Sequence, residues 1–156
     1  MIRYFAYGSN LSKAGMRLRA PAARPLIAAT LADHALTFES NEPFGSAAAF
    51  FANIRPHTAR TVAGALYELD ETALLALDAY EDVGRGVYER ARVVVLTAAG
   101  ARVSAVAYRM PPTDRPPSLG LPSQPQLEAI RAGYADWGLD LRALESAIRR
   151  IPSMRS

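Results

Sequence analysis

The chain has 156 residues, half of them hydrophobic, and this length fits one globular domain with a substantial core. Its formal net charge of +3 comes from one lysine, Lys13, and from arginines scattered among acidic residues, a pattern that does not favour nucleic-acid binding. Cysteine is absent, which excludes disulfides, thiolate metal ligands and a cysteine nucleophile.

The first segment, residues 2–7, alternates and is rich in aromatic residues, which predicts a β-strand and not a secretory signal. Since no run of about 18 apolar residues follows, we expect a cytoplasmic protein that does not enter a membrane. Gly8, Ser9 and Asn10 then form either an ordinary turn or a cradle of backbone N–H groups for an anion, and local reasoning leaves both open. A short helix is predicted over 11–18, with Ser12 as its candidate cap.

The middle of the chain predicts several strands. After a loop at 21–25, we expect two strands at 26–31 and 35–39, separated by Asp33 and His34. The apolar run at 47–54 and the alternating run at 61–69 indicate two more strands. The segment 55–60 contains a proline and is the expected hairpin connection between them.

The second half mixes helices with one hairpin. Asp70 is expected to cap a helix through about Tyr80, with Gly84 and Gly86 ending it, and 88–96 and 102–109 predict a hairpin around Gly100. Six prolines in 110–126 exclude a regular element there, so that this segment is a lid, a packed coil or a disordered stretch. Helices are predicted at 126–137 and 140–151, with Gly138 as stop and Asp140 as cap. This order predicts an α+β fold with a mainly antiparallel sheet or barrel.

Glu81 is the most informative polar residue. It follows Leu74 and Leu77 at the spacing of one helix face, which directs its carboxyl towards the interior. Burial, the helix C-terminus and the nearby carboxylates of Asp78 and Asp82 should all raise its pKa, as suits a group that accepts and donates a proton near neutrality. A slightly rotated helix would instead place Glu81 in solvent, and periodicity alone does not decide between the two.

Other candidates are weak when taken singly. His34 and His57 lack the spacing of zinc ligands, and no serine stands in a G-x-S-x-G context. Tyr88 and Tyr108 lie in predicted strands, where aromatic residues commonly serve as core.

Several motifs together resemble the γ-glutamylcyclotransferase family. They are Y-F-A-Y-G-S-N-L at 4–11, L-D-A-Y-E-D-V at 77–83, G-V-Y at 86–88, A-Y-R-M at 107–110 and a P-S pair ahead of the third helix. The resemblance spans nearly the whole chain in order. It implies a small mixed β-barrel with flanking helices, without cofactor or metal. It also implies a lyase or acyltransferase-type reaction of glutathione metabolism, in which a γ-glutamyl group cyclises to 5-oxoproline and releases an amine.

The resemblance also implies roles for individual residues. Glu81 matches the catalytic acid/base, and the substrate-binding positions are Tyr7, Gly8, Ser9, Asn10, Leu11, Tyr88 and Tyr108. Asp82 and Gln126 depart from the family's usual glycine and tyrosine, which bears on which γ-glutamyl compound fits. We expect a small-molecule γ-glutamyl substrate, no nucleic-acid partner, and a monomer or homodimer. The alternative is a non-catalytic or differently specific protein of the same fold that binds a small anion.

Overall fold

The computed structural model describes residues 1–40 and 49–152 and contains, within them, six strands and four α-helices. The strands are β1 (Ile2–Ala6), β2 (Arg24–Ser40), β3 (Phe51–Leu69), β4 (Glu89–Thr97), β5 (Arg102–Arg109) and β6 (Ser118–Leu119). The helices are α1 (Lys13–Arg19), α2 (Glu71–Tyr80), α3 (Gln124–Trp137) and α4 (Leu141–Arg149). Short 3₁₀ turns occupy Ser9–Leu11 and Val83–Arg85.

Five of the strands close into a mixed barrel. The order is β1, β5, β4, β2, β3, and β3 pairs with both β2 and β1, which completes the ring. Only the β1–β5 pair is parallel among these described strands, and β6 extends the sheet beside β2. The predicted α+β class with a small, mainly antiparallel barrel is confirmed.

The middle of the chain was predicted to hold four short strands, but it forms two long ones. The two predicted strands at 26–31 and 35–39 form the single strand β2, and 55–60 lies inside β3 instead of joining two strands. Both sequence features that suggested a break lie at one β-bulge between β2 and β3. There the pairing register passes from Ala32↔Thr61 to His34↔Pro56. Asp33 (φ 55°) and Ala59 (φ 66°) adopt left-handed backbone there, and the Ala59 N–H donates to Asp33 Oδ1 at 3.1 Å. The link from β2 to β3 falls at 41–50; residues 41–48 lie outside the described ranges, as does the start of the run predicted at 47–54.

The predicted helix caps are confirmed by their hydrogen bonds. Ser12, Asp70 and Asp140 accept from the backbone N–H groups of Gly15, Ala73 and Arg142 at 3.2, 2.7 and 2.9 Å. The proline-rich segment was expected to hold no regular element, but it contains β6 and the start of α3 at Gln124. Its prolines border β6, which is only two residues long and pairs at the edge of β2.

The loop after β1 is held against α3. A Cβ added to Gly133 would lie 2.3 Å from the Leu11 Cβ, so the helix and the loop approach as closely as a glycine allows. The Trp137 indole N–H donates to the Leu11 carbonyl oxygen at 2.9 Å, and the Lys13 N–H donates to Asp136 Oδ2 at 2.9 Å. These contacts fix the position of residues 8–13 on the barrel. None of the helices within the described ranges is long and apolar enough to cross a membrane.

We predict that Gly133→Ala destabilises the fold by about 1–3 kcal/mol, because its methyl group overlaps Leu11. Alanine would otherwise favour the helix by about 1 kcal/mol, so a net loss isolates the clash. Urea unfolding measures the change. Gly84→Ala is the control, since a Cβ there meets nothing within 4 Å. A Gly133→Ala protein as stable as the parent would show that the loop is not held by this close approach.

Candidate active site

A cavity of about 380 Å³ lies where the loop after β1 meets the end of α2. All of the predicted site residues except Leu11 line it, together with Tyr4, Phe51, Ala52, Tyr80, Asp82, Arg85, Val87 and Gln126. The cavity therefore brings Glu81 together with the loop at residues 8–10, and with the two positions that depart from the family pattern.

Leu11 is placed differently from its predicted neighbours. Its side chain is fully buried, it packs on α3, and its N–H donates to the Gly8 carbonyl oxygen at 3.0 Å. Leu11 thus anchors the loop, while residues 8–10 face the cavity.

Glu81 is the residue immediately after α2, and its carboxyl is partly buried at the cavity. Its Oε1 accepts a hydrogen bond from Asn10 Nδ2 at 3.0 Å, and the same amide nitrogen donates to the Tyr4 hydroxyl at 2.9 Å. Asn10 is only 3% exposed, so this contact is shielded from water. The inward direction predicted from helix periodicity agrees with this position.

Burial raises the pKa of Glu81 to about 7, while the positive charge of Arg19 and the hydrogen bond from Asn10 act in the opposite direction. The raised value was predicted, but repulsion from Asp78 and Asp82 was expected to contribute. Asp78 is instead paired with Arg90 and accepts from the Tyr108 hydroxyl, and Asp82 is paired with Arg85. Loss of hydration is therefore the cause, and the neighbouring carboxylates are engaged elsewhere.

Arg19 is a second contributor that the sequence analysis missed. Its Nη1 donates to Asn10 Oδ1 at 2.7 Å, and its guanidinium lies 4.2 Å from the centre of the Tyr80 ring. With its oxygen held by Arg19, the Asn10 amide turns its nitrogen towards Glu81 and Tyr4. No spacing rule predicts this contact, because it depends on how α1 folds back against the loop at residues 8–10.

Three of the tyrosines that line the cavity are held by hydrogen bonds that their own hydroxyls donate. Tyr7 donates to the Tyr108 carbonyl oxygen, Tyr88 to the Ala52 carbonyl oxygen at 2.6 Å, and Tyr108 to Asp78 Oδ1 at 2.7 Å. Burial raises the pKa of Tyr7 and Tyr88 well above the ordinary value, so both stay neutral. They shape the walls of the cavity, and Glu81 is the group suited to exchanging a proton near neutrality.

The loop offers free donors beside Glu81. Among the described residues, none accepts a hydrogen bond from the backbone N–H groups of Gly8, Ser9 or Asn10. A side chain at Gly8 would place its Cβ 2.9 Å from that of Ala52, so glycine allows the loop to run against β3. Unpaired N–H groups of this kind bind anionic oxygens. No group of three or more potential metal-ligating side chains occurs in the described part of the chain.

The chain is similar to one family of known proteins. The family described as gamma-glutamyl cyclotransferase, AIG2-like, matches residues 4–137. A human gamma-glutamylcyclotransferase is 31% identical over 144 residues, covering 91% of this chain and 74% of the human protein. A bovine protein of the same name is 31% identical over 142 residues, covering 88% and 72%. A solved structure named gamma-glutamyl cyclotransferase is 28% identical, with a TM-score of 0.83 over 99% of this chain and 90% of that one.

We predict that Glu81→Gln reduces the pH dependence of folding stability. Because the folded chain holds the Glu81 pKa at about 7, above its ordinary 4.5, it keeps a proton that the unfolded chain releases. Glu81 therefore lowers the free energy of unfolding progressively as the pH rises from 4.5 to 7. Above pH 7 the full loss is about 3 kcal/mol. Urea unfolding at pH 5 and pH 8 should show a smaller loss in Glu81→Gln than in the parent.

The matched control is Glu145→Gln, which changes an exposed carboxyl on α4. It should follow the parent protein at both pH values. Equal pH dependence in the parent and in Glu81→Gln would show that the Glu81 carboxyl titrates like one in water.

Proposed function

The chain belongs to the gamma-glutamyl cyclotransferase, AIG2-like family, and from this we propose that it cyclises the γ-glutamyl group of a γ-glutamyl amino acid or amine to 5-oxoproline. Glu81 is the proposed acid/base. One observation carries the proposal: a partly buried carboxyl with a pKa of about 7 shares a cavity with loop residues 8–10, whose N–H groups have no acceptor within the described ranges.

The reaction needs one bond made and one broken at the same carbon. The substrate's α-nitrogen attacks the carbon of its own γ-carbonyl, and the bond from that carbon to the amine nitrogen breaks. Starting from the α-ammonium, the attacking nitrogen loses two protons in all, and the departing nitrogen gains two and leaves as an ammonium. Glu81 carries the protons one at a time, so it ends in the state in which it began. Because the attack is intramolecular, no protein nucleophile is needed.

The loop at residues 8–10 has a complementary task. Its N–H groups are the proposed donors to an anionic oxygen, which is either the substrate's carboxylate or the oxyanion that develops on the γ-carbonyl. Asp82, Arg85 and Gln126 line the same cavity and are the proposed contacts of the variable leaving amine.

We predict that Glu81→Gln lowers 5-oxoproline formation by about 10²–10⁴-fold, the usual contribution of one acid/base group. The assay uses a panel of γ-glutamyl amino acids and γ-glutamyl amines, and Glu145→Gln is again the control. Parent-like activity in Glu81→Gln would overturn the mechanism. Tight binding of 5-oxoproline or glutamate by a protein inert towards the whole panel would instead support a small-anion-binding role.

We also predict that Arg19→Gln moves the acid limb of the kcat/KM profile to higher pH. The rate should rise with pH as Glu81 ionises near pH 7, and the positive charge of Arg19 favours that ionised form. Arg19→Lys keeps the charge and should lie between the parent and Arg19→Gln. Arg17→Gln removes the same charge from an exposed position on α1 and should leave the profile in place. An unmoved limb in Arg19→Gln would assign Arg19 a purely structural role.

A further inference from the structure

A second cleft lies between β3 and α4 and shares no lining residue with the Glu81 cavity. Its volume is about 130 Å³, and its polar lining comes from Arg60, Thr61, Tyr134, Ser146 and Arg150. All five side chains can donate hydrogen bonds, and no aspartate or glutamate lines the cleft. An adjoining cleft of about 180 Å³, with a largely apolar lining, shares both arginines.

The two arginines have no counter-charge in the part of the chain that the structure describes. Within the described ranges, neither Arg60 nor Arg150 forms an ion pair with a carboxylate. Arg150 donates to the Leu36 carbonyl oxygen at 3.4 Å. The two guanidinium groups line one cleft, and burial and then the charge of Arg60 lower the pKa of Arg150.

Tyr134 adds an independent observation at the same cleft. Its side chain is 1% exposed, and its hydroxyl has no hydrogen-bond partner among the described residues. Burial raises the pKa of Tyr134 to about 12, so the hydroxyl stays neutral and able to donate. A buried hydroxyl without a partner costs about 1–3 kcal/mol, so a ligand that accepts a hydrogen bond from it would bind more tightly.

From these features we propose that the cleft between β3 and α4 binds a small phosphate-like oxyanion, held by Arg60 and Arg150 with a hydrogen bond from Tyr134. Guanidinium groups match the oxygens of phosphate in geometry and in charge. The anion would relieve the repulsion between the arginines and supply the acceptor that the tyrosine lacks. The site is separate from the Glu81 chemistry and does not depend on it.

The first test titrates inorganic phosphate into the full chain by calorimetry, at constant ionic strength in a buffer without other oxyanions. We expect saturable one-to-one binding, weakened at least about tenfold in Arg60→Gln and in Arg150→Gln. Arg142→Gln is the control, because Arg142 lies on α4 outside the cleft and is paired with Asp140. No saturable binding, or an equal loss in Arg142→Gln, would overturn the proposal.

The second test separates the hydroxyl from the charges. Tyr134→Phe should bind phosphate several-fold more weakly and, without phosphate, should melt at the same or a higher temperature, because it removes an unpaired buried group. A lower melting temperature without phosphate, or unchanged phosphate affinity, would contradict the role of Tyr134.

Phenyl phosphate distinguishes the source of the anion. Tighter binding than phosphate indicates an organic phosphate using the adjoining apolar cleft, and weaker binding indicates the free ion.

Discussion

The hydrogen bond from Asn10 to Glu81 joins residues 71 positions apart, and the geometry of the main cavity depends on it. It requires β1 to end beside α2, the loop at residues 8–10 to turn towards the cavity, and α1 to end with Arg19 behind Asn10. Asn10 gives Glu81 one hydrogen bond, and Arg19, which is bonded to Asn10, adds only its positive charge, so the carboxyl is supported without being fully neutralised. This partial support leaves its pKa near 7.

The barrel creates this geometry by placing the loop under α3. Leu11, which the sequence motif marks together with the substrate-binding residues, packs against Gly133 and accepts from Trp137. A loop of turn residues gains little stability from its own contacts, so the burial of one leucine fixes it to the scaffold. The same motif therefore contains an anchor and a binding surface, with Leu11 facing the core and Gly8 to Asn10 facing the cavity.

Local patterns predicted much of this structure. The caps at Ser12, Asp70 and Asp140 and the β4–β5 hairpin depend on neighbouring residues, and the structure has them. Long β2 and β3 were missed because Asp33 and the proline-containing stretch 55–60 have the composition of breaks, while pairing along both strands outweighs that local preference. The contact of Arg19 with Asn10 was also missed because it depends on the folded structure. The two residues are near in sequence, but their side chains meet only after α1 has folded back on the loop.

Glu39 shows that the raised pKa of Glu81 is not a general result of burial in this barrel. Glu39 is 3% exposed, and burial alone would raise its pKa, but hydrogen bonds from Arg55, Thr37 and Asn53 lower it. Glu81 has one direct donor among the residues that the structure describes, Asn10, and its pKa is raised. The two carboxyls thus differ in how many donors the fold provides. In the proposed reaction, the substrate's α-ammonium donates a hydrogen bond to the Glu81 carboxylate, which has fewer protein donors than Glu39. The same contact then binds the substrate and transfers its proton.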